Sequence, residues 1–286
     1  MARKQIAWIQ GAWRGDADST IEWYEHLIET KISERTIVVL PELCHTPYFP
    51  IEENAAAFDL ALSNDHLLFK RFARLARKVR SVIVFPFFEK RGVGVYHNTV
   101  RVFDVDGSTA GMYRKSHIPD DPGFYEKYYF APGDTGITPI HTTLGRLGVL
   151  ICWDQWFPEA ARLMALAGAD LLLYPTAIGW DENEPPSIYR DQLEAWQIAM
   201  RGHAVSNAIF TVAVNRVGSE GHLRFWGNSF LAGPTGKIIG QSGDGDAGLV
   251  TLFIDTEEME VQRRAWPFFR DRRVDQYVDL LKRWID

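Results

Sequence analysis

The stretch from Arg146 to Tyr174, RLGVLICWDQWFPEAARLMALAGADLLLY, holds a strand, a helix and a second strand in one short run. Arg146–Cys152 is an apolar run of strand length. Pro158–Ala167 opens on proline, whose missing N–H costs nothing in the first turn of a helix. Leu171–Tyr174 is again a short apolar run. Alternation of this kind is the mark of an α/β chain.

The same rhythm extends outward. Upstream, strands are expected at Ile6–Gln10, Thr36–Leu40, Ser81–Phe88 and Tyr96–Val105, the last running into a hairpin turn at Asp106-Gly107. Helices are expected at Thr20–Lys31, capped by Asp18 or Ser19, and at His66–Val79. Downstream come a long helix, Arg190–Asn207, and strands at Ile209–Val214, Ser229–Ala232, Lys237–Gly240 and Leu249–Ile254. Short turns such as Gly233-Pro234-Thr235-Gly236 join the late strands, so the sheet cannot be wholly parallel. No linker, repeat or low-complexity tract divides the chain, and one α/β (α+β) domain over residues 1–286 is expected. The gap Ser116–Thr143 is too long for a plain connection and is read as functional or partner-binding.

Composition narrows the function. Hydrophobic residues are 46% and charged residues 24%, which excludes disordered and collagenous chains. A net charge of −6 leaves no electrostatic footprint for nucleic acid or an anionic membrane. No apolar run reaches transmembrane length, and the N-terminus lacks the apolar core of a signal peptide. The only cysteines are Cys44 and Cys152, which suits a reducing compartment, and a cytoplasmic location is expected. Phosphate-loop, dinucleotide, HExxH, CxxC and GxSxG motifs are all absent.

Three places put a reactive group at a strand end or in a loop. Val38-Val39-Leu40-Pro41-Glu42-Leu43 carries a buried strand straight into a carboxylate. Glu42 is either a solvated acid or a general base raised by desolvation. Tyr113-Arg114-Lys115-Ser116-His117 opens the long gap. Lys115 is either an ordinary surface lysine or a group that stabilises charge on a reacting oxygen. Leu150-Ile151-Cys152-Trp153-Asp154-Gln155-Trp156-Phe157-Pro158-Glu159 sets a thiol at a strand-to-helix corner. Free cysteine is usually an inert hydrophobe, and that reading fits Cys44 as well.

Together the three strings resemble the nitrilase superfamily of carbon–nitrogen hydrolases, whose catalytic set is Glu, Lys and Cys in that order. The matches are Glu42 in LPEL, Lys115 in YRKSHIP and Cys152 in ICWDQWFPEAAR. The resemblance continues through YPTAIG (174–179), RGHA (201–204) and AVNR (213–216). Within the superfamily, KSHIP, YEKYYF and CWDQWFPEAAR look like the N-carbamoylputrescine amidase branch. The family's second glutamate matches Glu126. Asp121 and the segment Trp180–Glu184 depart from what the branch leads one to expect, which leaves substrate detail open.

The resemblance implies an αββα sandwich that pairs into a homodimer or higher homo-oligomer. It implies hydrolysis of a ureido group through a Cys152 thioester, with Glu42 as base and acid. Lys115 and the Trp153 N–H would hold the oxyanion, and Glu126 would orient Lys115 or the substrate. Asp154, Tyr48, Thr176 and Ala177 are expected beside the substrate. No metal or organic cofactor is expected, and the partner is a small molecule rather than nucleic acid or membrane. A substrate ammonium would want carboxylates such as Asp120, Asp121, Asp154, Asp181, Glu182 or Glu184, whereas an N-carbamoyl amino acid would want an arginine such as Arg190 or Arg201. The aromatic tail segments 265–270 and 277–284, within 256–286, are expected in chain packing or subunit contacts.

Overall fold

The structure, a computed structural model, describes residues 3–285. The first sheet collects β1 (Arg3–Gln10), β2 (Thr36–Val39), β3 (Leu62–Ser63), β4 (Val82–Gly92), β5 (Val95–Phe103) and β6 (Thr109–Arg114). The second half supplies β7 (Ile140–Thr142), β8 (Gly145–Val149), β9 (Leu171–Thr176), β10 (Gly179–Asp181), β11 (Phe210–Asn215), β12 (Val217–Glu220), β13 (Leu223–Trp226), β14 (Phe230–Ala232), β15 (Ile238–Gln241) and β16 (Gly248–Asp255). One sheet runs β16-β1-β2-β4-β5-β6 with β3 beside β4, the other runs β15-β14-β11-β9-β8-β7, and β10-β13-β12 form a small third sheet. In each main sheet the central strands are parallel and the flanking ones antiparallel, as the short late turns require.

Side-chain alternation builds the layers. In β1, Ile6 and Trp8 join the cluster between the two sheets, while Ala7 and Ile9 face the other way. The opposite inner face comes from Leu147 and Val149 of β8, Leu171 and Leu173 of β9, and Val212 and Val214 of β11. Period-two burial on both faces marks sheets covered on both sides. The first sheet is covered by α1 (Ala17–Lys31) and α2 (Leu67–Val79). In α2, Leu68, Phe69, Phe72, Leu75, Ala76 and Val79 are buried at helical spacing. The second sheet is covered by α3 (Pro158–Leu166) and α4 (Pro186–Asn207), which bury Met164, Trp196 and Met200. A last helix, α5 (Glu257–Ala265), follows β16. The order helix, sheet, sheet, helix is the expected αββα sandwich.

Several boundaries move. The cap of α1 is Asp16, whose carboxylate accepts from the Ser19 N–H at 2.7 Å, rather than Asp18 or Ser19. The apolar run 146–152 stops being a strand at Val149, and Cys152 begins a 3-10 turn, Cys152–Trp156. The Ser116–Thr143 gap contains β7 and a single 3-10 turn, Glu126–Tyr128. It is moored by Phe49, whose ring lies 4.7 Å from Phe88 and 4.8 Å from Tyr129. Gly133 lets the gap return against its own start, donating to the Lys115 carbonyl at 2.8 Å. A Cβ there would sit 2.0 Å from the Arg114 carbonyl oxygen. Among the described residues no helix is long and apolar enough to cross a membrane.

Candidate active site

Parallel strands deliver their C-terminal ends to one rim. The chain leaves β2 through Leu40-Pro41 and places Glu42 there, and β6 ends one residue before Lys115. β8 ends three residues before Cys152, and β9 ends just before Ala177. Two corners are left-handed: Leu43 has φ +48° and Cys152 φ +41°. Such conformations are costly for residues with a side chain and persist where the surroundings over-determine them. Arg216, just past β11, supplies part of that surrounding. Its Nη1 donates to the carbonyls of Glu42 and Leu43, both at 3.3 Å. Glu220 pairs with Arg216 and accepts from the Tyr48 N–H at 2.7 Å.

Lys115, Glu42 and Glu126 meet with their side chains fully buried. Lys115 Nζ donates to Glu42 Oε1 at 2.8 Å and to Glu126 Oε2 at 2.7 Å. Glu42 Oε1 also accepts from Asn98 Nδ2 at 2.6 Å. Glu42 Oε2 is buried with no hydrogen-bond partner among the described residues. Glu126 Oε1 accepts from the Tyr48 hydroxyl at 2.9 Å.

Burial disfavours the Lys115 ammonium, but Glu126 and Glu42 outweigh it and draw the group above the usual lysine range. Burial pushes Glu126 up, with Lys115 opposing. Burial, reinforced by Glu42, holds the Cys152 thiol well above its ordinary value, against the pull of Lys115. The resting thiol is therefore protonated, and a base must take its proton as it reacts. Tyr48 is likewise pushed up by burial and by Glu126, so it keeps its proton and donates.

Cys152 opens onto a cavity of about 470 Å3. Cys152, Glu126 and Ala177 line it together with Phe124, Trp153, Trp156, Phe157, Trp180 and Trp226. Asp121, Asp181 and Glu184 also line it, and among the described residues no lysine or arginine does. Hydrogen bonds from Asn183 hold Asp181 below the ordinary carboxylate range.

Of the expected residues, Glu42, Lys115, Glu126, Tyr48 and Cys152 interact as one cluster. Trp153 and Ala177 line the cavity with Cys152. Asp154, Thr176 and Tyr48 do not line it. The Asp154 carboxylate is turned into the protein, and the Thr176 hydroxyl donates to the Tyr174 carbonyl at 2.9 Å. Tyr48 stands behind Glu126. Asp120, Glu182, Arg190 and Arg201 also lie outside the lining, and Arg201 donates instead to the Gly236 carbonyl at 2.8 Å.

Sequence reasoning missed three supporting residues. Asn98 interrupts an apolar strand inside the polar block His97-Asn98-Thr99, which was a usable signal. Asn215 accepts from the Ile178 N–H and donates to the Ile178 carbonyl, both at 2.9 Å, and so fixes the corner after Ala177. Gln155 lines the cavity while its Oε1 accepts from Trp196 Nε1 at 2.8 Å.

The carbon–nitrogen hydrolase family model matches residues 5–264. The N-carbamoylputrescine amidase of Solanum lycopersicum is 39% identical over 96% of this chain and 94% of its own. A citrullinase of Francisella tularensis is 38% identical over 99% of this chain and 100% of its own. The crystal structure of a carbon–nitrogen hydrolase from Helicobacter pylori superposes with a TM-score of 0.94 at 44% identity, covering 99% of this chain and 100% of that one. A nitrilase-superfamily member from Saccharomyces cerevisiae superposes at 0.80 with 25% identity, covering 95% of this chain and 97% of that one. The chain belongs to the carbon–nitrogen hydrolase family of the nitrilase superfamily and is an amide C–N hydrolase.

Proposed function

We propose that the protein hydrolyses a terminal ureido group on an alkylamine, with N-carbamoylputrescine as substrate and putrescine, ammonia and carbon dioxide as products. The observation that carries this is the cavity itself: it is lined by Cys152 and Glu126, by aromatic walls, by three further carboxylates and, among the described residues, by no lysine or arginine. A desolvated ammonium needs a carboxylate partner, and aromatic faces add cation–π attraction. Citrulline or an N-carbamoyl amino acid carries a carboxylate, which would face Asp121, Asp181 and Glu184 with no cation to receive it.

The residue roles follow from the contacts. Oε1 of Glu42 is held by Asn98 and Lys115, which leaves Oε2 as the basic atom. Oε2 takes the Cys152 proton as sulfur attacks the ureido carbon. Lys115 and the Trp153 N–H stabilise the resulting oxyanion; Trp153 sits early in the turn, where an N–H has no acceptor within the turn itself. Glu42 returns the proton to the leaving nitrogen, the C–N bond breaks, and ammonia departs. Water, deprotonated by Glu42, then cleaves the carbamoyl thioester, and the N-carboxyamine loses carbon dioxide. Glu126, fixed by Tyr48, positions Lys115.

Trp266, Phe268, Leu281 and Trp284 are exposed, and we read the segment 256–286 as a self-association surface of a homodimer or larger homo-oligomer. Sedimentation showing only monomer would refute that. Two free buried thiols agree with a cytoplasmic setting.

The test is ammonia release from N-carbamoylputrescine, citrulline and N-carbamoyl-β-alanine, with Cys152→Ala as control. Turnover of the first far above the others is expected. Preference for either acid would overturn the assignment of the amine end.

A further inference from the structure

Asp154 lies between two residues that line the cavity, Trp153 and Gln155, yet it does not line the cavity itself. Its carboxylate is fully buried and accepts four hydrogen bonds. Oδ2 accepts from the Ile151 N–H at 2.9 Å and from the Tyr113 hydroxyl at 2.8 Å. Oδ1 accepts from the His117 N–H at 2.9 Å and from His117 Nδ1 at 2.7 Å. A carboxylate only accepts, so Nδ1 carries the hydrogen, and the Ser116 hydroxyl is left to donate to Tyr113.

The donors flank the reactive groups. Tyr113 and His117 stand two residues on either side of Lys115, and Ile151 immediately precedes Cys152. In return, the Asp154 N–H donates to the Ile151 carbonyl at 3.0 Å. Ile151 and Asp154 thus close a ring around Cys152 and Trp153, and the left-handed Cys152 lies inside it.

We propose that Asp154 is a positioning residue, which ties the Cys152 turn to the Lys115 strand end and so fixes thiol and ammonium relative to each other. The proposal rests on the reading of Cys152 as nucleophile. It assigns Asp154 no contact with substrate.

Asp154→Asn tests this with little change of shape. An amide has one acceptor oxygen, so its NH2 must face one of two fixed backbone donors, Ile151 N–H or His117 N–H. The expected result is a kcat lower by about 100-fold, the cost of displacing reacting groups by an ångström, with KM unchanged. Alkylation of Cys152 by iodoacetamide, followed by peptide mass mapping, should slow in parallel. Tyr113→Phe removes a single donor and keeps the ring, so it carries the test if the asparagine variant does not fold. It should lose about tenfold in kcat, the worth of one hydrogen bond to a charged group, again with KM unchanged.

A folded Asp154→Asn or Tyr113→Phe protein with wild-type kcat and alkylation rate would overturn the proposal. So would a raised KM with unchanged kcat, which marks a substrate contact. Full turnover by Cys152→Ala would instead overturn the nucleophile reading beneath it, a separable result.

Discussion

Replacing Lys115 with methionine keeps the stem and removes the charge that two buried carboxylates share. Nζ lies 2.8 Å from Glu42 Oε1 and 2.7 Å from Glu126 Oε2, and the three side chains are fully buried. Breaking a buried pair by deleting one partner costs about 3–5 kcal/mol, because a desolvated charge is left uncompensated. Here two partners are left, which points to the upper end. For a chain this long, 1 kcal/mol is worth roughly 2–4 °C in Tm, so a fall on the order of 10 °C is expected at neutral pH. The sign of the pH dependence follows from Glu126. Burial already raises its folded pKa, and Lys115 opposes that rise; without Lys115 the value climbs further. A folded pKa above the unfolded one means that the folded state binds the extra proton. Stability is then greatest below the ordinary glutamate range, about 4.3, and is lost as pH rises through the folded value. The Lys115→Met deficit should therefore be small near about pH 5 and grow toward about pH 8. Lys115 itself is raised, so the stability it brings in the wild type is lost only above the ordinary lysine range and adds no slope in this window. Thermal melts of both proteins across that window read the effect. An equal deficit at both ends, or a variant as stable as wild type at the alkaline end, would refute the buried-triad reasoning.

Tyr48→Phe should cost about 1–3 kcal/mol of stability, since it strips from a fully buried carboxylate the only donor to Glu126 Oε1 among the described residues; denaturant melts check this, and the loss should shrink as pH falls and Glu126 protonates. Neutralising Asp121, Asp181 and Glu184 together should raise KM for N-carbamoylputrescine several-fold with kcat unchanged, and added salt should narrow the difference; an unchanged KM would remove these residues from substrate recognition.

The α/β alternation was legible because apolar runs and helical spacings alternate cleanly, as in β1, β2 and α2, whereas the αββα layering came from the family resemblance. Strand ends were harder. The apolar run 146–152 gave no local sign that pairing ends at Val149, because a buried strand and the buried turn after it are equally hydrophobic. The short strands β10, β12 and β13 went unread, since they carry too few residues for any period to show. Glu42, Lys115 and Cys152 were found by motif, and the fold brings them to one rim although Glu42 and Cys152 lie far apart in sequence. Asp154 was placed at the substrate by adjacency. In a 3-10 turn, residues three apart eclipse, so Gln155 shares the Cys152 side and Asp154 points away. Asn98 and Arg216 hold the Glu42 carboxylate and its loop, and support of that kind is a matter of three-dimensional neighbours rather than spacing.

The claim at the centre of this account is that sulfur of Cys152 carries the carbamoyl group. Rapid acid quench of the wild-type protein within its first turnovers of N-carbamoylputrescine, followed by peptide mass spectrometry, tests it directly, because acid stops the reaction while part of the protein still carries the thioester. The account predicts an aminobutylcarbamoyl adduct confined to the Cys152 peptide, absent in a Cys152→Ala background. An adduct on the Cys44 peptide, or ammonia released at the wild-type rate with Cys152 unmodified, would contradict it.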